Sequence, residues 1–407
     1  MSAYTRYAAA VLLAGLAVGC AARTEAPQPP PSPRATPGGH AGAPAPAASA
    51  EPAKSPFTLV ASGDVLASYA TVLDTAQQDA QSSGFDYRPM LKGIKPVIAS
   101  AGLALCQLPT PLGPLEGPFA SGREFQAPPQ VATALKDAGF DSCATASAHS
   151  LDRGADGVGR TLEALDTVGL RHAGTARSVA EASRPALLTA PGGAKVAQLS
   201  YTVGAQGRGA AAPWAVNLAD EQRIIADARA ARRAGADLVV VSAHWGTEYR
   251  TAPDAQQTEL ARVLTASETD GRPDIDLIVG SRARTPQPYE KVNGSGDGDT
   301  QDDQEVSDGG TWVVYGLGDQ IAGEMRNKHG KMGTVARFTF TPPAEDGDRW
   351  RASKAEFIPQ WFDTKTGRVR KLGKSAKLSR ELAAVREEIR RTTLSRGAAK
   401  HGLVMGD

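Results

Sequence analysis

The sequence predicts an α/β fold: a largely parallel β-sheet covered by helices, with antiparallel strands added toward the C-terminus. Three observations carry this. Residues 236–249 read A-D-L-V-V-V-S-A-H-W-G-T-E-Y, and Leu238, Val239, Val240 and Val241 form the unbroken apolar run of a strand buried on both faces. Residues 217–234 place Ile224, Ile225 and Ala228 at helical spacing and stop at Gly235, so a helix feeds directly into that strand. Residues 334–341 and 352–359 alternate in the manner of antiparallel strands.

Composition sets the outer limits. The 407 residues carry 45 basic and 44 acidic side chains for a net charge of +1, which gives no electrostatic case for nucleic acid. Arg6 precedes an apolar run, 8–18, that is too short to span a bilayer as a helix. The run ends in Ala17-Val18-Gly19-Cys20, small residues before a cysteine, which resembles a bacterial lipoprotein signal at 1–19 with lipidation of Cys20. A plain secretory peptide is the alternative. Two or more acyl chains suffice for stable anchoring, so the protein is expected to be exported and tethered to the outer face of the cytoplasmic membrane. Residues 20–56 are dense in Pro, Ala, Gly and Ser and read as a disordered stalk reaching roughly 30–36 Å. The folded body is placed at 57–375, with an amphipathic helix and polar tail at 376–407.

The elements follow in order. Residues 57–63 form a strand running into Asp64, 88–101 a helix interrupted near Pro96, and 103–106 a strand leading to Gln107-Leu108-Pro109. A helix at 131–138 ends at Gly139, a strand at 140–145 leads to Ser147-Ala148-His149, and a helix covers 157–168. An edge strand at 169–174 contains His172, read as structural, and a further strand spans 195–201. Asn217 is the expected cap of the 217–234 helix, with Asp220 at its third position. A helix at 256–266 precedes strands at 274–279 and 311–317, the latter ending in Gly318-Asp319, and 377–394 is a charged amphipathic helix. Residues 293–310 are an acidic, glycine-rich insertion. Asp297, Asp299 and Asp308 fall at calcium-loop positions, but Asp302 stands where the turn needs glycine, so a solvated loop is expected. Cys106 and Cys143 lie in separate predicted strands; they are a disulfide if those strands are neighbours and two buried thiols otherwise.

Ligands in open α/β sheets bind beyond the carboxyl ends of the strands. The polar residues at such ends are Asp64, Gln107, His149, His244, the 281–284 segment and Asp319. Their order and the phrases G-D-V at Gly63, T-A-S-A-H-S-L-D at Thr145, H-W-G-T-E-Y at His244, Q-P-Y-E at Gln287 and Y-G-L-G-D-Q at Tyr315 resemble the CapA family of poly-γ-glutamate capsule synthesis proteins. The resemblance covers roughly residues 57–340. It implies a metallophosphoesterase-like layered sandwich of mixed β-sheets flanked by helices, with one or two metal ions at the strand ends.

The family usually reads N-L-E or H-L-E where this chain has Gln107-Leu108-Pro109, and N-N-H or S-N-H where it has Ser147-Ala148-His149. It reads G-H-H-x-H where this chain has Gly280-Ser281-Arg282-Ala283-Arg284, and G-N where it has Gly318-Asp319. Pro109 and Ala148 carry no donor atom, and the guanidiniums of Arg282 and Arg284 have no lone pair to give a metal. Asp64, His149 and His244 survive, with Gln107, Asp152 and Asp319 as helpers around the metal ligands Asp64 and His244, enough for one weakly held divalent ion (Mn, Zn or Fe) but not two. His149 is the candidate general acid, with Asp152 beside it, and Arg282 with Arg284 a candidate clamp for an anion. The expectation is a surface lipoprotein whose metal catalysis is weakened or lost and which binds an anionic envelope polymer or the capsule-assembly machinery. The alternative is an active metal-dependent phosphoesterase or hydrolase of the cell envelope.

Overall fold

The computed structural model describes residues 54–205, 212–292, 309–323, 327–344 and 349–407. The signal segment, Cys20, nearly all of the 20–56 stalk and most of the 293–310 insertion lie outside the described residues. In chain order the elements are β1 (Phe57–Val65), α1 (Ala70–Asp79), α2 (Arg88–Leu91), α3 (Lys95–Ala99), β2 (Leu103–Gln107), α4 (Gln130–Ala138), β3 (Ser142–Ala144), α5 (Gly154–Thr167) and β4 (Arg171–Ala173). Then come α6 (Val179–Ala182), β5 (Ala186–Thr189), β6 (Lys195–Thr202), α7 (Glu221–Arg233), β7 (Leu238–His244), α8 (Ala255–Ala266) and a small ribbon of β8 (Glu268–Thr269) and β9 (Arg272–Pro273). The chain closes with β10 (Leu277–Ser281), β11 (Tyr289–Val292), β12 (Thr311–Val314), β13 (Asp319–Ile321), β14 (Met332–Thr341), β15 (Arg351–Asp363), β16 (Arg368–Lys371), α9 (Arg380–Thr393) and β17 (Leu403–Met405).

Two mixed sheets result. The first runs β16-β15-β14-β1-β2-β3-β4, with β13 joining the end of β1 and β17 joining β15; the second runs β11-β12-β10-β7-β6-β5. Strand periodicity explains how they stack. In β7, Leu238 and Val240 face the first sheet, packing with Leu59, Leu105, Phe338 and Phe357, while Val239 and Val241 pack with Ile224, Ala228 and Leu264 of α7 and α8. In β1, Val60 turns the other way, into a core with Ile98, Leu135 and Leu162 under helices α1–α5. The product is a helix–sheet–sheet–helix sandwich with three apolar seams, the mixed layered architecture expected. The apolar run at 238–241 is continuous because both of its faces are covered.

Local chemistry departs from expectation in three places. The α7 cap is Asp220, whose carboxylate accepts the Arg223 amide at 2.9 Å. Asn217 does not cap the helix: its side chain donates to the Ser200 carbonyl and accepts from Arg223. Helix α1 was not anticipated, because only Val72 and Ala76 of it are buried and no apolar stripe marks it. The tail is not an appendage, since Leu403–Met405 pairs in parallel with Ala355–Phe357 inside the first sheet.

Strands β2 and β3 are direct neighbours in parallel register, which sets Cys106 opposite Cys143 with Cα atoms 4.5 Å apart and the sulfurs joined as a disulfide. Both residues are fully buried. The bond closes a loop between residues 37 apart in sequence. On the chain-entropy argument, replacing both cysteines by Ala should cost about 3–4 kcal/mol. Denaturant melts of the two proteins measure this, and equal stability would show that the bridge constrains nothing.

Candidate functional site

Parallel pairing brings strand ends together, and here it assembles two rows of polar side chains. In the first sheet Asp64 is in register with Gln107 on one side and Asp319 on the other. In the second, His244 lies between Thr202 and Ser281. Glycine makes the first row possible: a Cβ at Gly63 would collide with the Gly318 carbonyl, the group that accepts the Asp64 amide at 3.2 Å. All six side chains of the two rows sit almost wholly out of solvent, including Asp64, Asp319 and Ser281 at 1% exposure.

Loops stitch the rows to each other. The Arg282 amide donates to Asp64 Oδ2 at 2.8 Å, and its Nη1 donates to the Gly246 carbonyl at 2.7 Å. The Ala148 amide donates to His244 Nδ1 at 3.3 Å. Ser147 holds that loop in place by donating to the Pro109 carbonyl at 2.7 Å. Arg284 donates from Nε to Asp319 Oδ2 at 3.2 Å and from Nη2 to the Tyr69 hydroxyl at 3.0 Å, with its guanidinium 5.6 Å from the Tyr69 ring and 5.9 Å from that of Tyr249. Arg282, Arg284 and Tyr249 all hold left-handed backbone, at φ 78°, 59° and 62°. Non-glycine residues rarely do so, and such strain persists only where surrounding contacts impose it.

His149 stands at the rim with its side chain 27% exposed. Its Nδ1 lies 2.9 Å from Asp152 Oδ2, which also accepts the Phe125 amide at 2.7 Å, and the Phe125 ring meets the imidazole edge-on at 4.5 Å. This is a histidine oriented by a buried carboxylate, with one ring edge open for proton transfer.

Burial dominates the electrostatics. It raises the Asp64 carboxyl to about 6 against the pull of the Arg282 amide and the Arg284 charge. It raises Asp319 further, the Arg284 guanidinium opposing and the neighbouring Asp64 charge adding to the rise. Burial also holds His244 well below the ordinary imidazole range, helped by the charges of Arg282, His149 and Arg284. A neutral His244 whose Nδ1 accepts an amide proton carries its own proton on Nε2.

Asp64, Gln107, His244 and Asp319 are therefore brought to one place, as a metal site would require, and their fit to a metal can be judged. Oδ1 of both aspartates and Oγ of Ser281 are buried without hydrogen-bond partners, the kind of oxygen a cation seeks. The rest of the donor set does not fit. His244 faces a donor through Nδ1, whereas a metal-bound imidazole donates from its second nitrogen to an acceptor. Arg284 already places a positive charge on Asp319, and among the described residues no three His, Cys, Asp or Glu side chains gather around one point. The arginines also differ from the expected anion clamp. Arg284 is 11% exposed and committed to Asp319 and Tyr69, because a buried carboxylate demands an internal counter-charge. Arg282 works through its amide and one guanidinium nitrogen, both directed at protein oxygens. Tyr69 lies in no motif, and Tyr249 closes the H-W-G-T-E-Y phrase without a charge or metal donor to mark it; an aromatic just beyond a strand end is the only sequence signal for either.

Comparison with known proteins places the chain among capsule proteins. Residues 58–324 match the family described as "Bacterial capsule synthesis protein PGA_cap". The chain is 31% identical over 164 residues to the "PGA biosynthesis protein CapA" of Bacillus subtilis, covering 40% of this chain and 41% of that protein. It is 28% identical over 167 residues to the "Capsule biosynthesis protein CapA" of Bacillus anthracis, covering 40% and 39%. A "probable polyglutamine synthesis accessory protein" of Mycobacterium tuberculosis is 32% identical over 183 residues, covering 40% and 45%. The chain thus spans less than half the length of the curated relatives it matches. Among solved structures, the calcineurin-like phosphoesterase YfkN from Bacillus subtilis aligns at TM-score 0.43 and 14% identity over 84% of this chain and 98% of that one. The NAD nucleotidase of Haemophilus influenzae aligns at TM-score 0.43 and 10% identity, over 86% and 57%.

The raised carboxyls have a consequence for stability. A carboxyl that binds its proton more tightly when folded contributes fully below its unfolded value near 3.8, and loses that contribution as the pH rises through about 6 for Asp64. Asp64→Asn keeps an acceptor for the Arg282 amide and removes one of two like charges. It should raise stability at pH 8.5 by up to roughly 3 kcal/mol and flatten the decline between pH 5 and 8. Thermal melts across pH measure both, and a flat wild-type profile would show that the pair is not strained by ionisation.

Proposed function

The chain belongs to the bacterial capsule synthesis protein family, and from that we propose that it serves the assembly of an anionic envelope polymer by binding the polymer or its assembly machinery, without metal-dependent turnover. One observation carries the second half: the Arg284 guanidinium, fixed on Asp319 between two tyrosines, supplies from within the chain the positive charge that a metal ion would supply from outside. A bound divalent ion beside it would be repelled over a few ångströms of buried, low-dielectric protein. The relatives are named for PGA, for capsule and for polyglutamine; of these we assign the polyanion, poly-γ-glutamate, as the polymer class.

The address belongs to the same proposal. Lipidation at Cys20 would hold the body at the outer face of the cytoplasmic membrane, within reach of a polymer leaving the cell. The Cys106–Cys143 bridge supports export, since structural disulfides persist in oxidising compartments. The family match concerns the folded body alone and does not reach residues 1–57.

Two experiments test these statements. The full chain, purified after supplementation with manganese, zinc or iron, should hold far less than one metal per molecule by elemental analysis. Stoichiometric metal that disappears in His244→Ala, with phosphoesterase turnover that chelation abolishes, would instead make the protein a metal hydrolase with His149 as its acid. For the anchor, Cys20→Ser should move the protein from the membrane fraction to the medium or soluble envelope fraction. Continued membrane retention would remove the lipoprotein assignment.

A further inference from the structure

The two sheets end together on one side, where β4 is the last strand of the first sheet and β5 the last of the second. Strand β5 begins at Ala186, paired with Gln198, so the edge of β6 beyond residue 198 has no strand neighbour there. Between these edges lies a cleft of about 260 Å³, walled by β4 and the segment after it, the turn of α6, the 198–201 stretch of β6 and the inner face of α7. It is separate from the Asp64–Asp319 row.

The charges lining it divide unequally. Each acid has a partner within the protein. Asp166 pairs with Arg177 at 2.8 Å and lies 3.3 Å from His172, Glu181 is held by Arg177, and Asp227 accepts from the Tyr201 hydroxyl at 2.8 Å. Two cations on the rim, Arg171 and Arg184, are solvent-exposed and make no ion pair among the described residues. The floor adds a third feature. Leu199 and Tyr201 pack toward the helices, so Ser200 points between the sheets; the residue borders the cleft, is 1% exposed, and its buried hydroxyl has no hydrogen-bond partner. A buried polar group left unpaired costs free energy that a ligand can recover.

We infer that this cleft binds a carboxylate-bearing segment of an acidic polymer, with Arg171 and Arg184 taking carboxylates at the rim, above the buried Ser200 at its floor. The sign of the ligand follows from the cleft's own unpaired charge, and its identity as a polymer segment rests on the function proposed above. Guanidinium forks match carboxylates in two-point contacts, which suits a chain with an acid on every residue. The match to the cleft is independent of Arg282 and Arg284, whose guanidinium contacts point to protein oxygens.

The test is calorimetric titration of the full chain with a short γ-linked glutamate oligomer, and with inorganic phosphate as a second probe. Arg171→Glu/Arg184→Glu is compared with Lys374→Glu/Lys377→Glu, which makes the same change in net charge on exposed residues by α9, at the far end of the first sheet. The first pair should weaken oligomer binding by about tenfold or more and the second by less than about twofold, with unchanged melting temperatures. Oligomer binding that survives equally in both variants overturns the cleft and leaves the polymer function standing. Phosphate binding alone, lost only in the first variant, keeps the cleft as an anion site and overturns the polymer assignment. A wild-type chain that binds neither probe overturns both.

Discussion

Two ionisable carboxyls, Asp64 and Asp319, stand side by side on neighbouring parallel strands with almost no exposure to water. The arrangement around the strand ends follows from neutralising them. Water cannot solvate the pair, so the protein must supply amide protons and positive charge of its own. The Arg282 amide and the Arg284 guanidinium do so, and each requires left-handed backbone to reach. That strain is tolerable because the alternative, an uncompensated buried charge, costs more. The same two contacts lock the loop after β10 across the end of β1 and thereby tie the second sheet to the first.

This bears on what the site can do. A metal ion can be lost or exchanged, but a guanidinium on the same carboxylate is permanent and always charged. It also fills space with a planar group held by Tyr69 and Tyr249, leaving its nitrogens aimed at the protein. The strand ends then form a rigid, charge-balanced joint, with His149 on its Asp152 support at the rim. Two cations without an ion pair among the described residues lie elsewhere, at the sheet edge, where Arg171 and Arg184 face solvent.

The architecture was largely legible in the sequence, because two-sided burial leaves a plain mark: Leu238 to Val241 has no polar residue, and Gly139 and Gly235 punctuate their helices in left-handed geometry. The convergence of Asp64, Gln107, His244 and Asp319 was legible too, each being the polar residue that closes an apolar run. What could not be read was direction. Nothing in G-S-R-A-R says whether the arginines point to solvent or inward; that depends on Asp319, which becomes their neighbour only through the β1–β13 pairing. The edge cleft was invisible for a related reason. Its walls come from separate segments with no motif in any of them, and Arg171 and Arg184 are significant only because nearby acids are already taken.

The span that carries the family likeness is not the span that completes the fold. The match ends at residue 324, yet Met332–Thr341 pairs antiparallel with Phe57–Ala61 along the first half of β1, and β13 takes over on the same side at Asp64. Strand β15 then covers β14, and β17 and β16 border β15 in turn. Without these strands β1 would expose an unpaired edge beside the row of buried carboxylates, and the inter-sheet seam would lose Phe338, Phe340 and Phe357. The aspartates lie within the family span, but the dry surroundings that raise their carboxyls are built in part by residues beyond it. Kinship over residues 58–324 therefore identifies the strand ends that converge, whereas the chemistry at those ends is decided by the whole sandwich and by the two arginines that stand there.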